Sequence, residues 1–251
     1  MYYCCGITET GNVKTHNEDA YLIGHTVMTD KPFETELRGP FIAAVADGVS
    51  GEAKGEVAAR MTLELLADIR PSGRTDYKKK VMAVHEKIKR YGAAHKGHEN
   101  MQTTLCAVVI DSKDIPHIIN VGDSRLFRMS QGRLRQLSTD QSLVQLLYSG
   151  GHMTNEQRLY SNDRNLILPV IGNTGSDPDP QIIVTEPLGY GEMILICSDG
   201  LSDYLTPGEI EDILALPQRL PKRLSALAEK ALGNGSRDNI TVVAVSAAAD
   251  R

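Results

Sequence analysis

Three apolar runs in this chain end in an aspartate beside a glycine. Phe41 to Ala46 leads into Asp47-Gly48, His117 to Val121 into Gly122-Asp123, and Met193 to Cys197 into Ser198-Asp199-Gly200. Two further strand candidates begin beside acids, one after Glu18 and Asp19 and the other after Asp238. Taken singly, each of these is a turn, because Asp and Gly favour tight reversals at strand ends. Taken as a set, they bring carboxylates together wherever the strand ends meet. Carboxylates gathered within a few ångströms repel, and their pKa values rise unless cations neutralise them. Oxygen donors with no accompanying His or Cys select Mg²⁺ or Mn²⁺ over Zn²⁺. Paired ions of this kind lower the pKa of bound water and clamp phosphoryl oxygens for in-line displacement. Phosphate-ester hydrolysis is therefore the chemistry to which the pattern points.

The elements that must position these acids are legible from periodicity. Strand-like runs are expected at Tyr2 to Ile7, Ala20 to Met28, Phe41 to Ala46, Thr104 to Ile110, Pro116 to Val121, Ser124 to Met129, Arg133 to Leu137, Gln181 to Glu186, Met193 to Cys197 and Asn239 to Ala247. Helical spacing is expected at Ala53 to Ile69, Asp76 to His95, Gln141 to Ser149, Asn155 to Tyr160, Pro207 to Leu214 and Pro221 to Ala231. Short turns such as those in "NVGDSRLFRMSQGRLRQL" join strands into hairpins, because parallel strands would need crossovers. Helices arriving in pairs without an intervening strand suit the outer faces of such sheets. The expected fold class is α+β: a four-layer α/β/β/α sandwich of two mostly antiparallel sheets flanked by antiparallel helix pairs.

Composition narrows the field further. A chain of 251 residues buries roughly 70–75% of its unfolded surface. Apolar residues at 41% and charged residues at 24% exclude disordered and collagen-like classes. The net charge of −5 argues against a nucleic-acid or anionic-membrane partner, since both require a basic footprint. The densest basic stretch, Tyr77 to Lys96, carries Tyr77, Val81, Val84, Ile88 and Tyr91 on one helical face, so its lysines form the solvated face. Cys4, Cys5, Cys106 and Cys197 lack metal-ligand spacing and read as buried free thiols in a reducing compartment. With neither a signal-peptide pattern nor a membrane-length apolar run, the expected location is the cytoplasm. One domain over residues 1–251 and a monomeric state are the default expectations.

"NEDA", "VADGVSG", "TTLCAVVI", "NVGDSRLFRMSQGRLRQLSTDQS", "LICSDGLSDYLTPGEI" and "GSRDNITVVAV" occur in an order that resembles the metal-dependent protein phosphatases of type 2C in their compact bacterial form. The resemblance runs over essentially the whole chain. It implies that Asp47 bridges two Mg²⁺ or Mn²⁺ ions, with the Gly48 carbonyl supporting the second. Asp199 and Asp238 would complete the first ion, and these two with Asp47 would be the catalytic set. Glu18 and Asp19 would act through metal-bound waters, Asp123 with Asp199 and Asp203 would hold a third ion, and Asn239 would support the ligands from behind. A metal-bridging hydroxide would attack phosphoserine or phosphothreonine directly. Residues 146–165 would form a flap beside the site. The implied partners are phosphorylated proteins, with a bacterial Ser/Thr kinase acting in opposition.

The chain departs from that pattern in several places. Lys14 stands where an Arg is usual, supplying a point charge rather than a two-bond grip on phosphate. His16 is read either as an acid or phosphate contact or as an exposed neutral side chain. Val49 occupies the place of a His that serves some members as general acid, Ser50 replaces a Gly, Gln102 stands where "GTT" would begin, and Gln141 replaces a His. None of these removes an expected metal ligand. Two competing readings remain open: a phosphatase-like regulator that binds phosphoproteins without hydrolysing them, and a switch phosphatase dedicated to one small antagonist protein.

Overall fold

The computed structural model describes residues 1–49, 54–154, 157 and 166–247. Among them, twelve strands form two six-stranded sheets in which every pairing is antiparallel. The first sheet has the order β4 (Phe33–Leu37), β1 (Tyr2–Glu9), β12 (Ile240–Ser246), β11 (Met193–Cys197), β8 (Arg125–Ser130), β9 (Arg133–Gln136). The second has the order β10 (Gln181–Val184), β7 (Pro116–Val121), β6 (Leu105–Ile110), β5 (Phe41–Ala46), β2 (Ala20–Ile23), β3 (Thr26–Met28). The central strands are apolar on both faces, which explains their unbroken hydrophobic runs. In β5, Phe41, Ala43 and Val45 face the layer between the sheets, whereas Ile42, Ala44 and Ala46 face the helices. In β12, Val243 and Val245 point between the sheets, and Ile240, Val242 and Ala244 point the other way. This alternation is the period-2 geometry of a strand covered on both sides.

Helices α1 (Gly55–Ala67) and α2 (Tyr77–Ala94) cover the second sheet through Ala59, Leu63, Leu66, Val81 and Ile88. Helices α5 (Pro207–Leu214) and α6 (Leu220–Gly233) cover the first through Ile210, Leu214, Leu224 and Leu227. The start of α5 is set by a capping box between Thr206 and Glu209, with Pro207 at its first turn. Short helices α3 (Leu143–Ser149) and α4 (Asp199–Ser202) lie between these layers in sequence. The four-layer α/β/β/α arrangement expected from the sequence is thus observed. No helix among the described residues is long and apolar enough to cross a membrane.

Local differences have simple causes. The run expected at Ala20 to Met28 is a hairpin, β2 and β3, reversing at Gly24 and His25, where Gly24 adopts φ 64°. Strand β4 is an addition to the expected strands: "FETEL" alternates apolar residues with charges, the weak signal of an edge strand only half covered. Helix α4 spans four residues, too short to register as helical spacing. Most of the helix expected at Asn155 to Tyr160, Ser50, and the second half of the expected flap lie outside the described residues.

Candidate metal centre

In an antiparallel sheet, alternate strands finish and begin at the same edge. That edge is where the acids collect. Asp47 follows the end of β5, and Asp19 precedes the start of β2, whose Ala20 pairs with Ala46. Asp123 lies between the end of β7 and the start of β8, Asp199 follows the end of β11, and Asp238 precedes β12. The two sheets face each other here, so five strand ends aim carboxylates at one region. Asp47, Asp123, Asp199 and Asp238 line a cleft of about 270 Å³ with Val49, Thr104 and Ile167. A second cleft of about 360 Å³ shares Asp123 and Asp199 and adds Arg125, Asp140, Ser142 and Asp203.

The backbone around Asp47 is strapped in place. Its N–H donates to Thr104 Oγ1 at 3.0 Å, and its carbonyl accepts from Thr103 Oγ1 at 2.8 Å and from the Thr104 N–H at 2.8 Å. Thr104 Oγ1 lies 2.8 Å from Ser124 Oγ, linking the strap to the Asp123 turn. The next residue admits only glycine, because a Cβ on Gly48 would come within 2.6 Å of the Gly55 carbonyl oxygen and 2.8 Å of the Glu18 carbonyl oxygen. Gly200 is equally constrained, with a Cβ there meeting the Asn239 carbonyl oxygen at 2.0 Å. Close backbone approach therefore explains both "DG" pairs, independently of turn chemistry.

Asn239 ties the opposite side together. Its Oδ1 accepts from the Glu18 N–H at 2.9 Å, and its Nδ2 donates to the carbonyls of Thr10 and His16 at 2.9 and 3.1 Å. The loop carrying Lys14, Glu18 and Asp19 is thereby hung from the residue after Asp238. Lys14 Nζ sits 2.9 Å from Asp238 Oδ1. Burial works against the Lys14 ammonium, but the bond to Asp238 and the charges of Glu18 and Asp47 raise its pKa overall. Asp203 lies at the end of α4 and pairs with Arg125 Nη2 at 3.1 Å, while the same guanidinium grips Asp140 through Nε and Nη2.

Electrostatically, the cluster is under-neutralised. Burial first, and then the charges of Asp19, Asp199, Asp123 and Asp238, push Asp47 well above the ordinary carboxylate range. Asp199 is raised in the same way by burial, Asp123, Asp203, Asp238 and Asp19. Burial with Asp140 and Asp203 lifts Asp123 to about 7, against the pull of Arg125. Asp19 rises to about 6 through burial and the Asp238 charge, although Ser198 Oγ donates to its Oδ2 at 2.9 Å. Its other oxygen, Oδ1, is buried with no hydrogen-bond partner. A buried carboxylate oxygen left without a donor, within an all-oxygen set, fits hard divalent cations.

Comparison with known proteins settles the family. The family model described as protein phosphatase 2C matches residues 13–234. The chain belongs to the protein phosphatase 2C family. The serine/threonine phosphatase stp of Listeria welshimeri is 31% identical over 247 residues, covering 95% of this chain and 93% of that one. The Mycobacterium tuberculosis serine/threonine protein phosphatase PstP is 31% identical over 241 residues, 94% of this chain and 43% of that longer protein. Among solved structures, the S. agalactiae serine/threonine phosphatase superposes with a TM-score of 0.85 at 26% identity, covering 98% of this chain and 99% of that one. The catalytic domain of PstP in complex with two manganese ions gives a TM-score of 0.76 at 27% identity, covering 98% and 99%. As a family member this chain is a protein serine/threonine phosphatase.

Sequence reasoning singles out the acids and one support, Asn239, but gives no role to Thr103, Thr104, Ser198 or the Arg125–Asp140 pair, although the threonines and Arg125 and Asp140 lie within the motifs that carry the resemblance. The adjacent threonines before β6 were the available signal, since two hydroxyls at a strand start can hold a neighbouring strand end.

Proposed function

We propose that the aspartate cluster is a centre for two or three Mg²⁺ or Mn²⁺ ions, and that the protein uses it to hydrolyse phosphoserine and phosphothreonine in proteins, opposing a Ser/Thr kinase in the bacterial cytoplasm. The observation that carries this reading is the set of mutually repelling carboxylates lining one cleft at one sheet edge, with Asp19 Oδ1 buried and without a donor. Asp47, with Asp199 and Asp238, would hold the ions. The Gly48 carbonyl, Glu18 and Asp19 would complete the shells, and Asp123 with Asp199 and Asp203 would take a further ion. Ions bound there would generate a nucleophile from water at neutral pH and screen the phosphoryl oxygens.

The protein's own contribution is positional. The threonine strap fixes Asp47 against β6, so the carboxylate cannot relax away from its neighbours. Lys14 places a positive charge at the rim, where it can pass from Asp238 to an incoming phosphate as a point donor. Val49 offers no proton to the leaving alkoxide, so that proton must come from water. A thiol mechanism is disfavoured: all four cysteines are buried, and burial lifts Cys197 to about 12, far from the thiolate that attack requires.

The binding-only reading fits less well, because a module without catalysis has no use for carboxylates this costly to bury. The test is phosphate release from a phosphothreonine peptide with Mn²⁺, with Mg²⁺ and with excess chelator. Release with either ion that stops with chelator is the expected result. Folded protein that releases nothing under any ion would overturn the reading in favour of phosphoprotein binding.

A further inference from the structure

Helix α2 carries a polar side chain where its neighbours are apolar. His85 shares the buried face with Val81, Val84 and Ile88 and is itself fully buried. An imidazole in that position costs stability unless its nitrogens are used. The Gly172 N–H lies 3.1 Å from its Nδ1, and a backbone N–H can only donate, so Nδ1 is the acceptor. The proton of the neutral ring is therefore on Nε2, which faces Asp177 Oδ1 at 3.4 Å and Glu86 Oε1 at 3.9 Å. Burial first, and then the Lys89 charge, hold the ring's pKa below its ordinary value, so the accepting, neutral form prevails at neutral pH.

Gly172 is the outer end of a backbone ladder that reaches the aspartate cleft. Antiparallel bridges join Gly48 to Thr103 and Thr103 to Ile171, so three segments lie side by side. Ile171 and Thr103 exchange both backbone bonds, at 3.0 and 3.1 Å, and Thr103 Oγ1 donates to the Asp47 carbonyl at 2.8 Å. The outer segment also reaches the cleft through Ile167. Gln102, one of the departures from the resembled pattern, adds a second pin. Asn173 Oδ1 accepts from the Gly175 and Ser176 N–H groups, which leaves its Nδ2 to donate to Gln102 Oε1 at 3.0 Å. The Gln102 carbonyl in turn accepts from the Val49 N–H at 3.0 Å. The packing has no slack: a Cβ on Gly172 would come within 2.2 Å of the Met101 carbonyl oxygen.

We propose that His85 is a positioning residue for Asp47: by accepting the Gly172 N–H it fixes the outer segment of this ladder, which Gln102 pins again through Asn173. The inference rests on the reading of Asp47 as a metal ligand. His85 touches neither the cleft nor a substrate there. It acts by keeping the ladder ordered, so that Asp47 meets an ion already in place. A side chain that only filled the space under Gly172 would not need an acceptor at Nδ1.

Three substitutions separate those roles. His85→Asn places an amide oxygen where Nδ1 stands, His85→Gln places its amide at the Nε2 end, and His85→Phe removes both nitrogens. The experiment measures, on the full chain, amide hydrogen exchange in chelator and the Mn²⁺ dissociation constant by calorimetry. His85→Phe should speed exchange at Gly172, Ile171 and Thr103 and weaken Mn²⁺ binding by about tenfold. His85→Asn should restore both, and His85→Gln should restore neither. Gln102→Ala, at a half-buried position, should weaken Mn²⁺ binding by about threefold and keeps the test open where His85→Phe does not fold. Unchanged exchange at Thr103, faster exchange with an unchanged Mn²⁺ constant, or equal rescue by Asn and Gln would each overturn the positioning role and leave Asp47 as a ligand. Native protein that binds no Mn²⁺ would overturn the aspartate centre and this inference with it.

Discussion

Strand β6 joins two ends of the sandwich that use aspartate in opposite ways. At its start, Thr104 straps Asp47 among carboxylates whose pKa values are driven upward. At its finish, another apolar run leads into an acid, Asp111, here buried and with no glycine beside it. Asp111 is fully served: its Oδ1 accepts from the N–H groups of Lys113 and Ile115 at 2.7 and 3.0 Å, and its Oδ2 lies 3.2 Å from His117 Nε2. Burial works to raise its pKa, yet these bonds pull it below the ordinary value. One aspartate is a finished turn, and the other sits among carboxylates that repel it. Both follow an apolar run, and what differs is whether backbone donors or other acids surround the carboxylate.

The largest expected effect breaks this pair apart by substitution. Asp47→Ala should reduce phosphopeptide turnover to background while the melting temperature in chelator holds or rises, because a half-buried charge repelled by its neighbours is removed. Asp111→Ala should leave turnover near normal but cost about 2–3 kcal/mol of stability, because it strands two N–H groups and a histidine. Turnover assays and thermal melts on both variants check the pair, and reversed outcomes would exchange the roles.

Ion binding should show the same asymmetry. Mn²⁺ at 100 times its dissociation constant should stabilise the protein by about 2.7 kcal/mol, and that gain should vanish in Asp47→Ala but persist in Asp111→Ala. Thermal melts with and without Mn²⁺ read this directly.

A smaller effect follows from proton linkage. Asp19 and Asp123 sit at about 6 and about 7 in the fold, against an ordinary 3.8, so in chelator the folded state binds more protons than the unfolded state between those limits. Stability contributed by these two groups is fully present below about pH 4 and declines as pH rises toward 7. Asp111 runs the other way: its contribution is present above the ordinary carboxylate range and is lost as pH falls through its lowered value. Melts in chelator across pH 4 to 8, repeated on Asp123→Asn, should show the decline flatten in the variant. The smallest expected effect is at Lys14, where Arg should lower KM for phosphopeptide with little change in kcat. An unchanged KM would leave Lys14 as no more than the partner of Asp238.

Much of this architecture was readable in the sequence because both of its signals are local. Apolar runs of five or six residues marked the central strands, and helical spacing of Val81, Val84 and Ile88 marked α2. The edge strand β4 was not readable, since half-covered strands carry a weak alternating signal and β propensity depends on neighbours. The acids were visible as a set, and the adjacent glycine separates Asp47 from Asp111, whose neighbours are Ile110 and Ser112, but a glycine alone does not tell a finished turn from a ligand. That distinction depends on Lys113, Ile115 and His117 closing a turn at one end, and on five strand ends converging at the other. The glycines after Asp47 and Asp199 read as turn formers, with the Gly48 carbonyl also a metal support by resemblance, and the fold additionally needs both for close packing against Gly55 and Asn239. Contacts between residues far apart in the chain made the difference in each case.

The most direct test of the central claim is a count of Mn²⁺ ions bound per chain by equilibrium dialysis, on the native protein, Asp47→Ala and Asp111→Ala. The account predicts at least two ions on the native protein and on Asp111→Ala, and a loss of ions in Asp47→Ala. Equal counts in all three would show that the aspartates at this sheet edge are not the metal ligands.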